Sequence, residues 1–197
     1  MANETPEPDR ETKSMFPGND LALELMREHT LLNVMAARMR ESADGLERGN
    51  PVNRVRLERG LEVHRRYLIE VHHEHERLVD EALAASRDPT ARARADDCAL
   101  EHPKAAAYQG AVRALLAKTR GSAAPDGVAL GRLIRQEADR LEEHHGKEDD
   151  VYRRLDRLLA PAERARLLGA IRTFDASHVS AEIALIAWAA QIHPSAD

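Results

Sequence analysis

The stretch HHEHE at residues 72–76 is the most informative part of this chain, because a related stretch, HHGKE, returns at residues 144–148. In each stretch a histidine is followed four residues later by a glutamate. Residues four apart lie on one face of an α-helix about one turn apart, so each pair can direct an imidazole nitrogen and a carboxylate at a single point. The chain therefore contains two copies of a helical unit suited to metal binding.

The repeat includes a further histidine upstream of each stretch. His29 is matched 73 residues later by His102, each preceded by a glutamate, and the stretch at 72–76 is repeated after 72 residues. Two helical hairpins thus carry the same elements in the same order, with one histidine on the first helix and His-x-x-x-Glu on the second.

The composition favours helices throughout the chain. Of 197 residues, 43% are hydrophobic, mainly Ala and Leu, with one Trp, two Phe and three Tyr. Few aromatic and β-branched residues among many Ala, Leu, Arg and Glu indicate an all-α protein. The length suits one domain, or one domain with an extension.

Charge and cysteine content exclude several classes of partner. The formal net charge is −5, and no basic stripe with interleaved aromatics is present, which argues against nucleic-acid binding.

A single cysteine, Cys98, excludes an internal disulfide and favours a reducing compartment. The polar N-terminus is unlike a signal peptide. The longest apolar run, at residues 183–192, is about half as long as a membrane-spanning helix, so a cytoplasmic location with no membrane contact is expected.

Clusters of Pro, Gly, Asp and Asn divide the chain into a tail and five predicted helices. Residues 1–18 are predicted to be disordered, and Asn19 or Asp20 can cap the first helix. The helices are predicted at about residues 20–43, 51–86, 90–119, 126–159 and 161–192, with Pro161 as the first residue of the fifth.

Short connections predict antiparallel neighbours, and hence an up-down-up-down four-helix bundle with an additional C-terminal fifth helix. The bundle comprises residues 19–159, built from hairpins 19–86 and 90–159. Residues 160–197 carry the fifth helix, which is expected to pack on the bundle.

A rotation of ~100° per residue places six polar side chains on the inward faces of the four bundle helices. They are His29, His72, Glu76, His102, His144 and Glu148. Buried polar groups are costly unless they are paired or coordinated, and two facing carboxylates need a cation between them to remain ionised. Four imidazoles and two carboxylates suit two first-row metal ions, bridged by the glutamates, with one or more coordination positions open.

In this pattern, residues 19–159 resemble the hemerythrin-like family, the His-His-Glu cation-binding domain. The resemblance implies a non-haem di-iron centre, oxo- and carboxylate-bridged, with these six residues as ligands. It also implies binding or sensing of dioxygen, binding of nitric oxide, peroxide breakdown of a catalase-like or peroxidase-like kind, or iron handling. The acidic-then-aromatic tail at residues 148–152 is similar to the family's.

The chain departs from the family at three places. Residues 77–79 lack the acidic tail, and Pro103 directly after His102 removes a backbone donor and is expected to kink the third helix. Ala106 stands where the oxygen-carrying members have a second histidine, which argues against a strict oxygen-storage role.

The remaining histidines have simpler interpretations. His73 and His145 are expected beside the metal ligands or facing solvent, although His145 with Asp149 offers a rival register for the fourth helix. His75 is expected to line the site and His64 to pack in the core. His178 opens an unmatched His-x-x-x-Glu with Glu182. Whether His178, His145 or water completes the coordination stays open, and Cys98 is expected to be a small core residue.

The fifth helix supplies the alternative function. Its stripe Val179, Ile183, Ile186 and Ala190 is expected to dock the helix on the bundle, in a monomer or a homodimer. The alternative hypothesis is a non-catalytic module that binds zinc, or stores iron, or recruits a partner through this helix.

Overall fold

A computed structural model describes residues 20–86, 88–118 and 125–190 of the chain. The tail predicted at residues 1–18 lies outside this part. The described residues are helical, with no strand among them, which confirms the all-α prediction. The helices are α1 Asp20–Glu47, α2 Arg54–Val63, a π-helical segment His64–His72, α3 His73–Ala84, α4 Pro89–Lys118, α5 Pro125–Tyr152, α6 Leu155–Leu158 and α7 Pro161–Ala190.

Several helix boundaries differ from the predicted ones. α1 continues past Asp44-Gly45 and ends before Gly49, whose φ of 88° suits glycine alone. α2 begins after Asn53, whose side chain accepts a hydrogen bond from the Arg56 backbone and caps the helix. The predicted fourth helix is interrupted after Tyr152 by a turn, so that α5 and α6 are separate.

The predicted second helix contains the π-helical segment, which ends at His72. In a π-helix the backbone bonds from residue i to i+5, so each turn is wider and consecutive side chains are separated by a smaller angle than in an α-helix. Positions read on an α-helical wheel are therefore displaced along residues 64–76, where the first His-x-x-x-Glu unit lies.

The helices pack so that α1 lies along α5, while α4 contacts both α3 and α5. α7 lies against α1, α2 and the π-helical segment. Trp188 of α7 packs on Gly60 of α2, where a Cβ would lie 3.2 Å from the indole Cζ2. None of the helices in the described ranges is both long and apolar enough to cross a membrane.

The buried apolar residues form two separate clusters. One contains Leu32, Val71 and Leu141, and the other contains Leu25 and Val79 among others. Since Leu25 and Leu32 lie on either side of His29 on α1, and Val71 and Val79 on either side of the 72–76 stretch, the polar residues of the repeat occupy the layer between the two clusters.

Candidate metal centre

Glu76 lies at the middle of this polar layer. Its carboxylate oxygens are 2.9 Å from His72 Nε2, 3.1 Å from His144 Nε2 and 2.7 Å from His102 Nε2. His72 and Glu76 are fully buried, and His144 is 4% exposed. Three helices therefore direct an imidazole nitrogen at one carboxylate.

Glu148 joins the remaining predicted residue to this group. Its carboxylate is 3.4 Å from His29 Nε2, 3.5 Å from His144 Nε2 and 4.0 Å from His72 Nε2. All six residues predicted from the sequence are thus brought into one continuous cluster, although they come from α1, the π-helical segment, α3, α4 and α5.

The ligand atoms fall into groups that are each compact enough to hold one cation. His29, His72 and Glu148 form one group, and Glu76, His144 and Glu148 form another, with ligand atoms within 4.8 Å of one another in each. Glu148 belongs to both groups. The described residues could therefore hold metal, and their mixture of imidazole nitrogen and carboxylate oxygen suits a first-row transition ion.

The cluster also contains buried atoms whose contacts do not have the geometry of a hydrogen bond. They are Nε2 of His29, His72 and His102, and Oε2 of Glu76. Buried polar atoms in proteins nearly always have a partner, and each unsatisfied one costs about 1–3 kcal/mol. These atoms all point into the same layer, so a bound cation there would satisfy them together.

The two glutamates have opposite electrostatic environments. Burial raises the pKa of Glu76, but the imidazoles of His72, His102 and His144 around its carboxylate outweigh it and hold that pKa well below its usual range. Burial and the charge of Glu76 raise the pKa of Glu148. Without a cation, the charge of Glu76 therefore disfavours ionisation of Glu148, and a metal ion between the two carboxylates would relieve that repulsion.

His73 lies beside the cluster, which is one of the two positions expected for it from the sequence. Its side chain is half-buried, its ring stacks on that of His102 at 4.3 Å, and it forms a third compact group with Glu76 and His102. Burial lowers its pKa to about 3, which keeps the imidazole neutral, the form that binds metal.

His145 is buried beside His29 and does not face solvent. Its ring stacks on His29 at 4.7 Å, and its Nδ1 is 3.3 Å from Asn33 Oδ1. Asp149, which is paired with His145 in the rival register, accepts a 2.7 Å hydrogen bond from His29 Nδ1. This bond leaves His29 Nε2 free to bind a metal ion.

Glu28 accepts a hydrogen bond from Nδ1 of His72, as Asp149 does from Nδ1 of His29. It is 2% exposed, and it accepts hydrogen bonds from His72 Nδ1 at 3.1 Å and His75 Nδ1 at 2.5 Å. Burial raises the pKa of Glu28, but these two bonds lower it to about 2. In the sequence, the one sign of a role for Glu28 is that a glutamate also precedes His102.

His64 and His178 lie outside the cluster. His64 packs in the core, as predicted, with Nε2 3.0 Å from Glu137 Oε1 and Nδ1 accepting from Gln109 at 2.8 Å. His178 stacks on Phe174 at 4.0 Å and does not close the end of the site. The side chain of Cys98 lies outside the described part.

The predicted docking stripe of α7 faces away from the other helices. Val179, Ile183 and Ile186 are 51%, 60% and 49% exposed. The helix docks instead through Leu167, Ile171, Ala181, Leu185, Trp188 and Ala189. The prediction was wrong because the last three turns of α7 are apolar on both faces, and periodicity alone does not say which face is buried.

Of the six clustered residues, His102 is the most open to solvent, with 23% of its side chain exposed. Ala106, one turn later, is exposed and does not face the cluster, while α4 stays helical on both sides of Pro103. The centre is therefore closest to solvent beside α4.

Compared with protein-family models, curated proteins and solved structures, the chain shows no significant match in any of the three.

Proposed function

We propose that this chain is a hemerythrin-like, non-haem di-iron protein that binds or senses dioxygen, nitric oxide or peroxide in the cytoplasm. In this proposal the long helices form an antiparallel up-down-up-down four-helix bundle, with α7 as an additional helix. Its ligands are His29, His72, Glu76, His102, His144 and Glu148.

The observation that carries the proposal is a set of buried atoms at the centre that make no hydrogen bond of good geometry: Nε2 of His29, His72 and His102, and Oε2 of Glu76. The Nε2 atoms of His72 and His102 lie 2.9 Å and 2.7 Å from the Glu76 carboxylate, and the whole layer is enclosed by apolar clusters on both sides. A buried layer of this kind is destabilising unless something occupies it. A pair of cations satisfies these atoms and also separates the charges of Glu76 and Glu148.

Each residue has a distinct task in this centre. The imidazoles bind through Nε2, and Glu28 and Asp149 fix the rings of His72 and His29 by accepting hydrogen bonds from Nδ1. Glu148 is positioned between the two groups, and Glu76 offsets positive charge at the centre. A pair of reduced irons would supply two electrons and an open position for a small ligand.

The apolar clusters and the exposed edge at His102 determine what reaches the centre. Leu25 and Val79 on one side, and Leu32 and Leu141 on the other, keep bulk water away from it. A small uncharged molecule such as dioxygen or nitric oxide can approach beside His102 and His73 without a cost for desolvating charge.

Metal retention in purified variants tests the ligand assignment. His72→Ala and His144→Ala should each lose most of the bound iron, because each side chain contacts both glutamates. His178→Ala is the matched control, since this histidine also precedes a glutamate by four residues but stacks on Phe174. Full iron retention in either ligand variant contradicts the assignment.

Peroxide turnover decides whether the protein is also an enzyme. Oxygen evolution from added hydrogen peroxide that disappears in Glu76→Ala and Glu148→Ala would establish a catalase-like activity. No oxygen evolution from the iron-loaded wild type would leave binding or sensing as the function.

The exposed stripe of α7 favours a second candidate, association through this helix. Between residues 176 and 190 the single Asp, Glu, Lys or Arg is Glu182, and it is already paired with Arg27 at 2.9 Å. Two copies of this uncharged face can therefore pack together in an isologous dimer without burying a charge. We propose a second copy of the chain as the partner, and light scattering of the purified protein tests it.

A further inference from the structure

A chain of contacts begins at His72 and continues through Glu28 to further residues. Oε2 of Glu28 accepts from His72 Nδ1, and its Oε1 accepts from His75 Nδ1. On the far side of the His75 ring, Nε2 lies 3.0 Å from Asp175 Oδ1. Four side chains from three helices and the π-helical segment therefore connect the candidate metal centre to α7.

The geometry argues against a third metal ion among Glu28, His75 and Asp175, although their ligand atoms lie within 4.8 Å of one another. The two carboxylates contact opposite nitrogens of the His75 ring. A cation on either nitrogen would be close to one carboxylate, with the imidazole between it and the other. The same arrangement suits a ring held between two acceptors.

α7 fixes His75 through two consecutive residues. The Phe174 ring meets the His75 ring edge-on, with centroids 5.5 Å apart and an interplanar angle of 79°. Asp175 is partly exposed, with 30% of its side chain accessible, whereas the side chain of His75 is fully buried. The chain of contacts therefore ends at Asp175, at the surface of α7, and α7 contributes none of the proposed metal ligands.

We propose that Asp175 and His75 are positioning residues for the metal ligand His72, acting through Glu28, so that α7 sets the affinity of the metal centre. The inference rests on the proposed metal centre. It adds that a helix outside the two repeated hairpins is part of that centre.

The physical reason is the restricted freedom of a carboxylate with two donors. With His75 bound to Oε1, the Glu28 carboxylate presents Oε2 to His72 in one orientation. His72 Nδ1–H then donates to Oε2, which leaves the lone pair of Nε2 directed at the metal position. If Asp175 no longer holds the His75 ring, both rings and the carboxylate gain alternative orientations. Loss of such partners typically lowers metal affinity 10–100-fold.

The test compares two acidic residues of α7 in the full chain. Asp175→Ala removes the end of the chain of contacts, and Glu182→Ala removes an ion pair of similar exposure between α7 and α1 that does not contact the centre. Co(II) affinity is measured by competition with a chromophoric chelator. We expect about tenfold weaker binding in Asp175→Ala and unchanged binding in Glu182→Ala.

A spectroscopic readout separates positioning from helix docking. In the Zn(II)-loaded wild type, the hydrogen-bonded Nδ1–H of His72 should give a slowly exchanging, downfield proton resonance. It should exchange faster in Asp175→Ala and stay unchanged in Glu182→Ala. If Asp175→Ala does not fold, Asp175→Leu and Glu182→Leu provide the same comparison with larger side chains that cannot accept a hydrogen bond.

The outcomes distinguish this inference from the proposed function. Equal Co(II) affinity in wild type and both variants, or equal losses in both variants, overturns the role of Asp175 while the metal centre stands. No Co(II) binding by the wild type overturns the metal centre and this inference together.

Discussion

Gly131 of α5 tests the packing of the two helices that carry His29 and Glu148. A Cβ at this position would lie 2.9 Å from the carbonyl oxygen of Ala43, 3.0 Å from Glu47 Cγ and 3.1 Å from Leu46 Cβ. The first contact is with backbone of α1, which cannot move aside as a flexible side chain can. Gly131→Ala therefore forces α1 and α5 apart at this contact.

The expected magnitude is the difference between two opposing effects. Overpacking of this kind costs roughly 1–3 kcal/mol, whereas replacing a helical glycine by alanine stabilises a helix by about 0.5–1 kcal/mol. The net result is a loss of roughly 1–2 kcal/mol in the free energy of unfolding, or about 3–6 °C in Tm for a chain of this size.

Gly146 provides the matched control on the same helix. It is exposed, and a Cβ there would meet no atom within 4 Å, so Gly146→Ala should raise the Tm by about 2 °C. Thermal unfolding of the metal-free proteins, followed by circular dichroism, measures both. Stabilisation by Gly131→Ala, or shifts of the same sign in both variants, would refute the close approach of α1 and α5.

Three further predictions concern other parts of the molecule. Burial lowers the pKa of His75, but Asp175 and Glu28 raise it to about 9. Protonated His75 therefore contributes roughly 3 kcal/mol to the free energy of unfolding, a contribution that is complete below pH 6.5 and lost as the pH rises through 9. The difference in unfolding free energy between metal-free wild type and His75→Gln should therefore shrink from pH 6 to pH 9.5, and a constant difference would count against it. Gln109→Leu should cost about 2 kcal/mol by denaturant unfolding, because it removes the donor to both the Leu61 carbonyl and His64 Nδ1; an unchanged midpoint would show that these bonds contribute nothing. Ile183→Glu should abolish any dimer seen by light scattering and leave the Tm within about 2 °C, since Ile183 is exposed; a dimer that persists would place the interface elsewhere.

The six candidate ligands could be selected from the sequence alone. Their selection rests on the repeat at 72–73 residues and on the four-residue spacing within each His-x-x-x-Glu unit, and all six residues lie in the observed helices. The register of the backbone was not predictable in the same way. The π-helical segment is a choice of backbone hydrogen-bond partner that no residue type signals, and it lies directly before His73.

Contacts between helices were the other gap. Asp149 and Glu28 act on histidines of different helices, and Asp175 reaches His75 from α7, so spacing along one helix gives no sign of them. On α7 the apolar pattern allowed two docking faces. Trp188 and Leu185 are buried and Ile183 is exposed because of the shape of the surface that α7 meets, which the sequence of α7 does not contain.

The most direct test is the iron content and absorption spectrum of the protein after anaerobic loading with Fe(II) and exposure to air. The proposed ligand set predicts two irons per chain and near-ultraviolet charge-transfer bands typical of an oxo-bridged diferric pair. Binding of zinc with no such bands, or no retained iron at all, would contradict the di-iron centre and leave association through α7 as the function to pursue.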